Sequence, residues 1–212
     1  MTTLVKICGI STRDTLVACI AARADWVGFN FYPPSPRFLT SMAAAQLAAE
    51  AGTAIRRAGV FVDADDTAIA GAVQAGRLDA IQLHGHESPE RAARVRQRFG
   101  LPVWKVLSVS AAEDVARATT FNAVADFILF DAKTPKGQLP GGMGLAFDWS
   151  LLTAYRGPLA WGLAGGLTPA NVADAIRQTG ALLVDTSSGV ETAPGIKNVD
   201  RISAFCDAAR QA

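Results

Sequence analysis

Two residues able to exchange protons close apolar runs that lie far apart in the chain. Cys8 ends Leu4-Val5-Lys6-Ile7-Cys8, and Asp131 ends Phe127-Ile128-Leu129-Phe130-Asp131. Cys8 shares a strand face with Lys6 by the period of two, and Gly9 lets the backbone turn directly afterwards. One reading makes Cys8 a small buried hydrophobe. The other makes it a thiolate base, which requires a cationic or polar neighbour to lower a thiol pKa of about 8.5. Asp131 follows four apolar residues at a partly desolvated position, which raises a carboxyl pKa and suits a general acid. Its alternative is a cap or a partner for Lys133.

Other strand ends carry further candidates. The prolines of Tyr32-Pro33-Pro34-Ser35-Pro36-Arg37 stiffen that segment and hold Arg37 close, either as a surface residue or as a two-pronged donor to a carboxylate or phosphate. Gln82 and His84 share one face at the end of Ala80–His84. His84, His86 and Glu87 hint at a metal, but the remaining ligands are missing and the chain has no other histidine, so no metal site is expected. Gly165-Gly166 and Asp185-Thr186-Ser187-Ser188-Gly189 are glycine-bearing turns able to present backbone N–H groups to phosphate. The segment from Thr134 to Gly144, with Gly141-Gly142-Met143-Gly144, reads as a covering loop.

The elements that must position these residues alternate. Candidate strands cover 4–8, 26–31, 58–62, 80–84, 103–107, 127–131, 159–164 and 182–186. Candidate helices cover 13–22, 42–51, 65–75, 89–98, 111–118, a short one near Asp148, 169–178 and 199–210. Near-continuous apolar strands alternating with helices imply a parallel sheet buried on both faces. Without a GxGxxG after the first strand, and with a helix after the eighth, a closed single-domain (β/α)8 TIM barrel over residues 1–212 is expected, rather than a doubly wound sheet. Ser11 or Thr12, Ser88-Pro89 and Thr168-Pro169 read as helix starts. In this architecture chemistry sits at the C-terminal strand ends, and phosphate sits between the loops after strands 7 and 8.

Composition narrows the function classes. Lys and Arg number 20 against 19 Asp and Glu, a net charge of +1, with half the residues apolar. Scattered basic residues argue against a nucleic-acid partner. The first residues lack a long apolar core, and no run approaches the roughly 20 apolar residues of a spanning helix. Cys8, Cys19 and Cys206 form no CxxC pair, as fits reduced thiols in the cytoplasm. Monomer and homodimer both stay open.

In order and spacing the chain resembles the phosphoribosylanthranilate isomerase family of tryptophan biosynthesis. The resemblance rests on KICGI (6–10), GFNFYPPSPR (28–37), AGVFVD (58–63), IQLHG (81–85), LFDAK (129–133), GGMG (141–144) followed by FDW, LAGGL (163–167) and DTSSGVE (185–191). It implies a (β/α)8 barrel without cofactor or metal. N-(5-phosphoribosyl)anthranilate would be converted to 1-(2-carboxyphenylamino)-1-deoxyribulose 5-phosphate by an Amadori rearrangement. Carried over by position, the resemblance makes Cys8 the base, Asp131 the acid and Arg37 the partner of the anthranilate carboxylate. Gly165, Gly166, Ser188 and Gly189 would hold the phosphate, Gly142 and Gly144 would cover the substrate, and Gln82, His84 and Asp185 would position it. Two positions depart from the family pattern: Met143 where a hydroxyl residue is common, and Asn198 where Asp is common. The related histidine-pathway isomerase looks for Asp where Cys8 stands, and ribulose-phosphate epimerase for a metal-bound His and Asp set. A non-catalytic phosphate-binding barrel would not need both Cys8 and Asp131.

Overall fold

The computed structural model describes residues 2–132 and 148–212. Eight parallel strands close into a barrel in chain order: β1 (Leu4–Cys8), β2 (Trp26–Asn30), β3 (Arg56–Phe61), β4 (Ala80–Leu83), β5 (Val103–Val109), β6 (Phe127–Ala132), β7 (Trp161–Leu163) and β8 (Leu183–Thr186). Helices α1 (Arg13–Ala21), α2 (Ser41–Ala51), α3 (Asp66–Gly76), α4 (Pro89–Phe99), α5 (Ala112–Ala116), α6 (Val172–Thr179) and α7 (Val199–Arg210) join or follow them. The expected closed barrel is thus the observed one. Closure is made by β1 against β8, with Lys6 opposite Asp185. Among the described residues no helix is long and apolar enough to cross a membrane.

Helix starts follow their capping residues. Thr12, Ser88 and Asn198 each accept a backbone N–H three residues on with a side-chain oxygen, satisfying donors that the first turn leaves unpaired. Three expectations need correction. The helix expected at 169–178 begins at Val172, because Asn171 folds back: its Oδ1 accepts the Thr168 N–H at 2.7 Å and its Nδ2 donates to the Gly166 carbonyl. The helix expected at 111–118 is α only over α5 and tightens into a 3-10 turn over Arg117–Phe121. The short helix near Asp148 is also 3-10, at Trp149–Ala154, with Asp148 capping Ser150. Missing from the sequence reading is a small antiparallel hairpin, β9 (Glu191–Ala193) and β10 (Ile196–Lys197), turned through Pro194 and Gly195. Gly195 has φ +82°, the left-handed geometry that a Pro-Gly turn supplies.

Two apolar layers hold the frame. The larger packs the outer strand faces, such as Ile7, Val27, Phe29, Ile81, Ile128 and Val184, against the helices. The smaller lies inside, where Leu4, Trp26, Ala58, Ala80, Trp104, Leu129 and Leu183 plug the barrel. There Trp26 and Trp104 meet edge to face at 4.6 Å, a favoured aromatic arrangement.

One buried ion pair ties a strand to the mouth loop. Lys105 of β5 donates to Glu87 Oε2 at 2.6 Å and to the carbonyls of Leu83 and Gly85, while Glu87 accepts from the Asp63 and Gly85 N–H groups. This pins the turn that carries His84. Removing one partner of a buried pair strands the other's charge and costs about 3–5 kcal/mol. Lys105→Met is therefore expected to lower unfolding stability by about that amount, read as an earlier midpoint in denaturant at unchanged slope.

Candidate active site

The inward positions one step above the plug turn polar. Moving two residues toward the C-terminal end of a strand keeps the same face. Leu4 thus leads to Lys6 and Cys8, Ala80 to Gln82, Leu129 to Asp131, and Leu183 to Asp185. Lys6, Gln82, Asp131 and Asp185 are all buried. They form a polar tier on an apolar floor, at the end of the barrel where the loops open.

Cys8 sits at the rim of this tier with partial exposure. In the β1–β2 register it lies opposite Gly28. A Cβ at Gly28 would come within 2.7 Å of Cys8 Sγ and 3.1 Å of Lys6 Nζ, so the missing side chain leaves the space both heads use. Lys6 Nζ donates to Asp185 Oδ2 at 2.8 Å. Burial pushes the Cys8 thiol above the ordinary cysteine range, and Asp185 adds to that, while the Lys6 and Lys197 ammoniums pull it down. The net direction is upward. Desolvation thus outweighs the cations in setting that direction. Burial alone would lower the Lys6 ammonium, but Asp185 and Cys8 together hold it above the ordinary lysine value.

Arg37 crosses directly beside Cys8. A Cβ on Gly9, whose φ is +78°, would lie 2.5 Å from Arg37 Cδ, so both the turn and the passing arginine require glycine there. Arg37 is buried and meets Glu191 in a fork, Nε to Oε1 and Nη2 to Oε2, each at 2.7 Å. Lys197 Nζ donates to the same Glu191 Oε1 at 2.6 Å, and to both the carbonyl and the hydroxyl of Ser187. Ser187 Oγ in turn donates to the Cys8 carbonyl at 3.1 Å. The β9–β10 hairpin therefore clamps the tip of β1 and the Arg37 side chain together. Burial would raise the Glu191 carboxyl, but Arg37 and Lys197 outweigh it and hold it below the ordinary range.

Asp131 stands three strands from Cys8 around the barrel, with β7 and β8 between. Its Oδ1 accepts the Ala132 N–H at 2.8 Å, and its Oδ2 lies 3.2 Å from His84 Nε2. His84 Nδ1 faces Gln82 Nε2 at 3.4 Å. The amide can donate only if His84 keeps its other nitrogen protonated toward Asp131, so Gln82 orients the imidazole. Gly165 and Gly166 have φ +87° and +64°. A Cβ at Gly165 would approach Ala132 N at 2.5 Å and Asp131 Oδ1 at 2.9 Å, so this turn lies against the Asp131 segment. The loop after β8 meets it: Thr186 Oγ1 donates to the Leu167 carbonyl at 2.7 Å, and Gly189 packs on the same carbonyl. Lys133, Gly142, Met143 and Gly144 lie outside the described residues. No group of three His, Cys, Asp or Glu side chains arranged for a metal occurs among the described residues.

With this geometry in place, comparison with known proteins is decisive. The family model for N-(5'-phosphoribosyl)anthranilate isomerase matches residues 5–208. The chain belongs to this isomerase family. An N-(5'-phosphoribosyl)anthranilate isomerase from Paramagnetospirillum magneticum is 55% identical over 207 residues, covering 97% of this chain and 96% of that protein. The crystal structure of phosphoribosyl anthranilate isomerase from Thermotoga maritima superposes with a TM-score of 0.89 at 36% identity, covering 100% of both chains. A further structure of the isomerase, in complex with reduced 1-(o-carboxyphenylamino)-1-deoxyribulose 5-phosphate, gives 0.87 at 34% identity, again over 100% of both chains.

Within this isomerase-family barrel, the sequence reading brought Cys8, Arg37, Gln82, His84, Asp131, Gly165, Gly166, Asp185, Ser188 and Gly189 to one end, and the structure gathers them there. It overlooked Glu191, Lys197 and Ser187. The Pro194-Gly195 dipeptide is the signal that a turn returns the chain here. Nothing local says that the returning strand carries the counter-ion of an arginine 154 positions away. Because Glu191 has a lowered pKa in the folded state, its stabilising contribution is present above the unfolded carboxylate value of about 4.3 and is lost as pH falls through the lower folded value. Thermal midpoints of wild type and Glu191→Gln should differ at neutral pH and converge only once the pH has fallen below the lowered folded value.

Proposed function

We propose that this chain isomerises N-(5'-phosphoribosyl)anthranilate in tryptophan biosynthesis, in the cytoplasm, with Cys8 as base and Asp131 as acid. Family membership carries the overall reaction. One observation carries the assignment of roles: two proton-exchanging groups stand at the same end of the barrel on separated strands, Cys8 with ammoniums beside it and Asp131 with an imidazole beside it.

Asp131 in its acid form donates its proton to the furanose ring oxygen. The ring C–O bond breaks with its electrons going to that oxygen, and the anilino nitrogen lone pair forms the iminium. That cation adds positive charge near a thiol already flanked by Lys6 and Lys197, and so favours the thiolate, the thiol proton passing to water. The Cys8 thiolate takes the C2 proton, the C–H electrons neutralise the iminium, and an enolamine results. Protonation at C1 and loss of the C2 hydroxyl proton then give the ketone. His84, beside Asp131, would hold its carboxyl in place. Gly165, Gly166, Ser188 and Gly189 would hold the phosphate by backbone N–H groups at the loop pair where this architecture binds it. Arg37 would meet the anthranilate carboxylate with its plane held by Glu191, and Gln82 and Asp185 would line the pocket. Anchoring both ends of the substrate turns remote binding into orientation of the ribose.

Loss of the fluorescent anthranilate substrate, followed with purified protein, tests these roles. Cys8→Ala or Asp131→Asn is expected to lower kcat by about 10²–10⁴-fold with an unchanged circular dichroism spectrum. Near-wild-type turnover in either would remove that residue from the chemistry. Arg37→Ala is expected chiefly to raise KM. An unchanged kcat/KM would take the carboxylate elsewhere.

A further inference from the structure

We propose that the buried Lys6–Asp185 ion pair sets the proton affinity of the Cys8 thiol, its two members acting in opposite directions. The catalytic consequence rests on Cys8 being the base, but the effect on the thiol does not.

Geometry carries the inference. Lys6 and Asp185 are register partners across the β1–β8 seam, and their heads meet at 2.8 Å with Lys6 fully buried. An apolar pair of similar volume fills such a place at least as stably, so stability is a poor reason for two charges there. What distinguishes the position is its neighbour. Cys8 is two residues beyond Lys6 on the same face, and both heads crowd the space left by the missing side chain of Gly28. A lysine ammonium has three donors, and Asp185 engages one, leaving others for the sulfur side. From Cys8 the pair is a dipole with a positive member on its own strand and a negative member on the next. Removing the ammonium should make the thiolate harder to form, and removing the carboxylate easier.

The other charged groups facing Cys8 differ in kind. Lys197 of β10 and Arg37, from the loop after β2, are both bound to Glu191. Their charge is thus partly cancelled by a third residue, whereas Lys6 is paired with Asp185 across the seam. The directions of the thiol's shifts agree with this arrangement: Lys6 lowers its pKa and Asp185 raises it.

The test is titration of the Cys8 thiol without substrate, by the ultraviolet absorbance of the thiolate and by the pH dependence of its alkylation with iodoacetamide. Cys8→Ala serves as the blank. Cys19 and Cys206 are fully buried, with thiols pushed up, Cys206 to about 11, so the signal belongs to Cys8. Lys6→Met should move thiolate formation to higher pH by about one unit, roughly tenfold less thiolate at a given pH. Asp185→Asn should move it to lower pH by a similar amount. Opposite shifts support the proposal, because a merely structural defect would not change sign between the two variants. Unmoved titrations, or shifts in the same direction, overturn it. If Lys6→Met fails to fold, Asp185→Asn decides alone: a shift to lower pH supports the proposal, and none, or a shift to higher pH, overturns it. The pH profile of kcat/KM separates this from the base assignment. Thiol titrations that shift oppositely while the rate profile stays fixed would uphold the pair's effect and strike Cys8 from the role of base.

Discussion

The meeting of the first strand with the last is the constraint on which the site depends. A parallel barrel has no edges only when β1 finds β8, and here that seam also joins Lys6 to Asp185. Were the register shifted by one residue, every side chain of β1 would change face. Lys6 and Cys8 would then point into the helix layer and Val5 and Ile7 into the pocket. Closure and the geometry of the polar tier are therefore one event: the hydrogen bonds that complete the barrel also bring a cation, an anion and a thiol together.

Above the apolar plug the structure concentrates charge in a small volume, and each charge has a near partner. Lys6 has Asp185, Glu87 has Lys105, Asp131 has His84, and Glu191 holds both Arg37 and Lys197. Such pairing is what lets ionised groups persist away from water. The consequence for reactivity is that Lys6, Cys8 and Asp185 do not have independent proton affinities. Burial pushes the Cys8 thiol up, and the ammoniums beside it pull the other way. The β9–β10 hairpin belongs to the same arrangement, since it supplies Glu191 and Lys197 and reaches the Cys8 carbonyl through Ser187.

Much of this was legible in the chain. Apolar runs alternating with amphipathic segments specify buried parallel strands with helical crossovers, because only that arrangement covers both strand faces. Residues at strand tips, Cys8 and Asp131 among them, could be singled out because a polar residue ending an apolar run must face an opening. Glycines such as Gly9 and Gly165 marked turns through φ values that other residues avoid. Less legible were ends governed by competing local bonds: Asn171 pulls the start of α6 past Pro169, and the chain near Arg117 tightens into a 3-10 turn where the sequence pattern runs on as α.

By itself, then, the sequence determined the fold class, the order of the units and which residues stand at the mouth, since periodicity and turn chemistry act over a few residues. Only the tertiary structure decided who faces whom: Glu191 with Arg37, Lys6 with Asp185, His84 with Asp131, and burial winning over nearby cations at Cys8. Those outcomes depend on distance and desolvation between strands far apart in the chain, quantities that have no value until the barrel has closed.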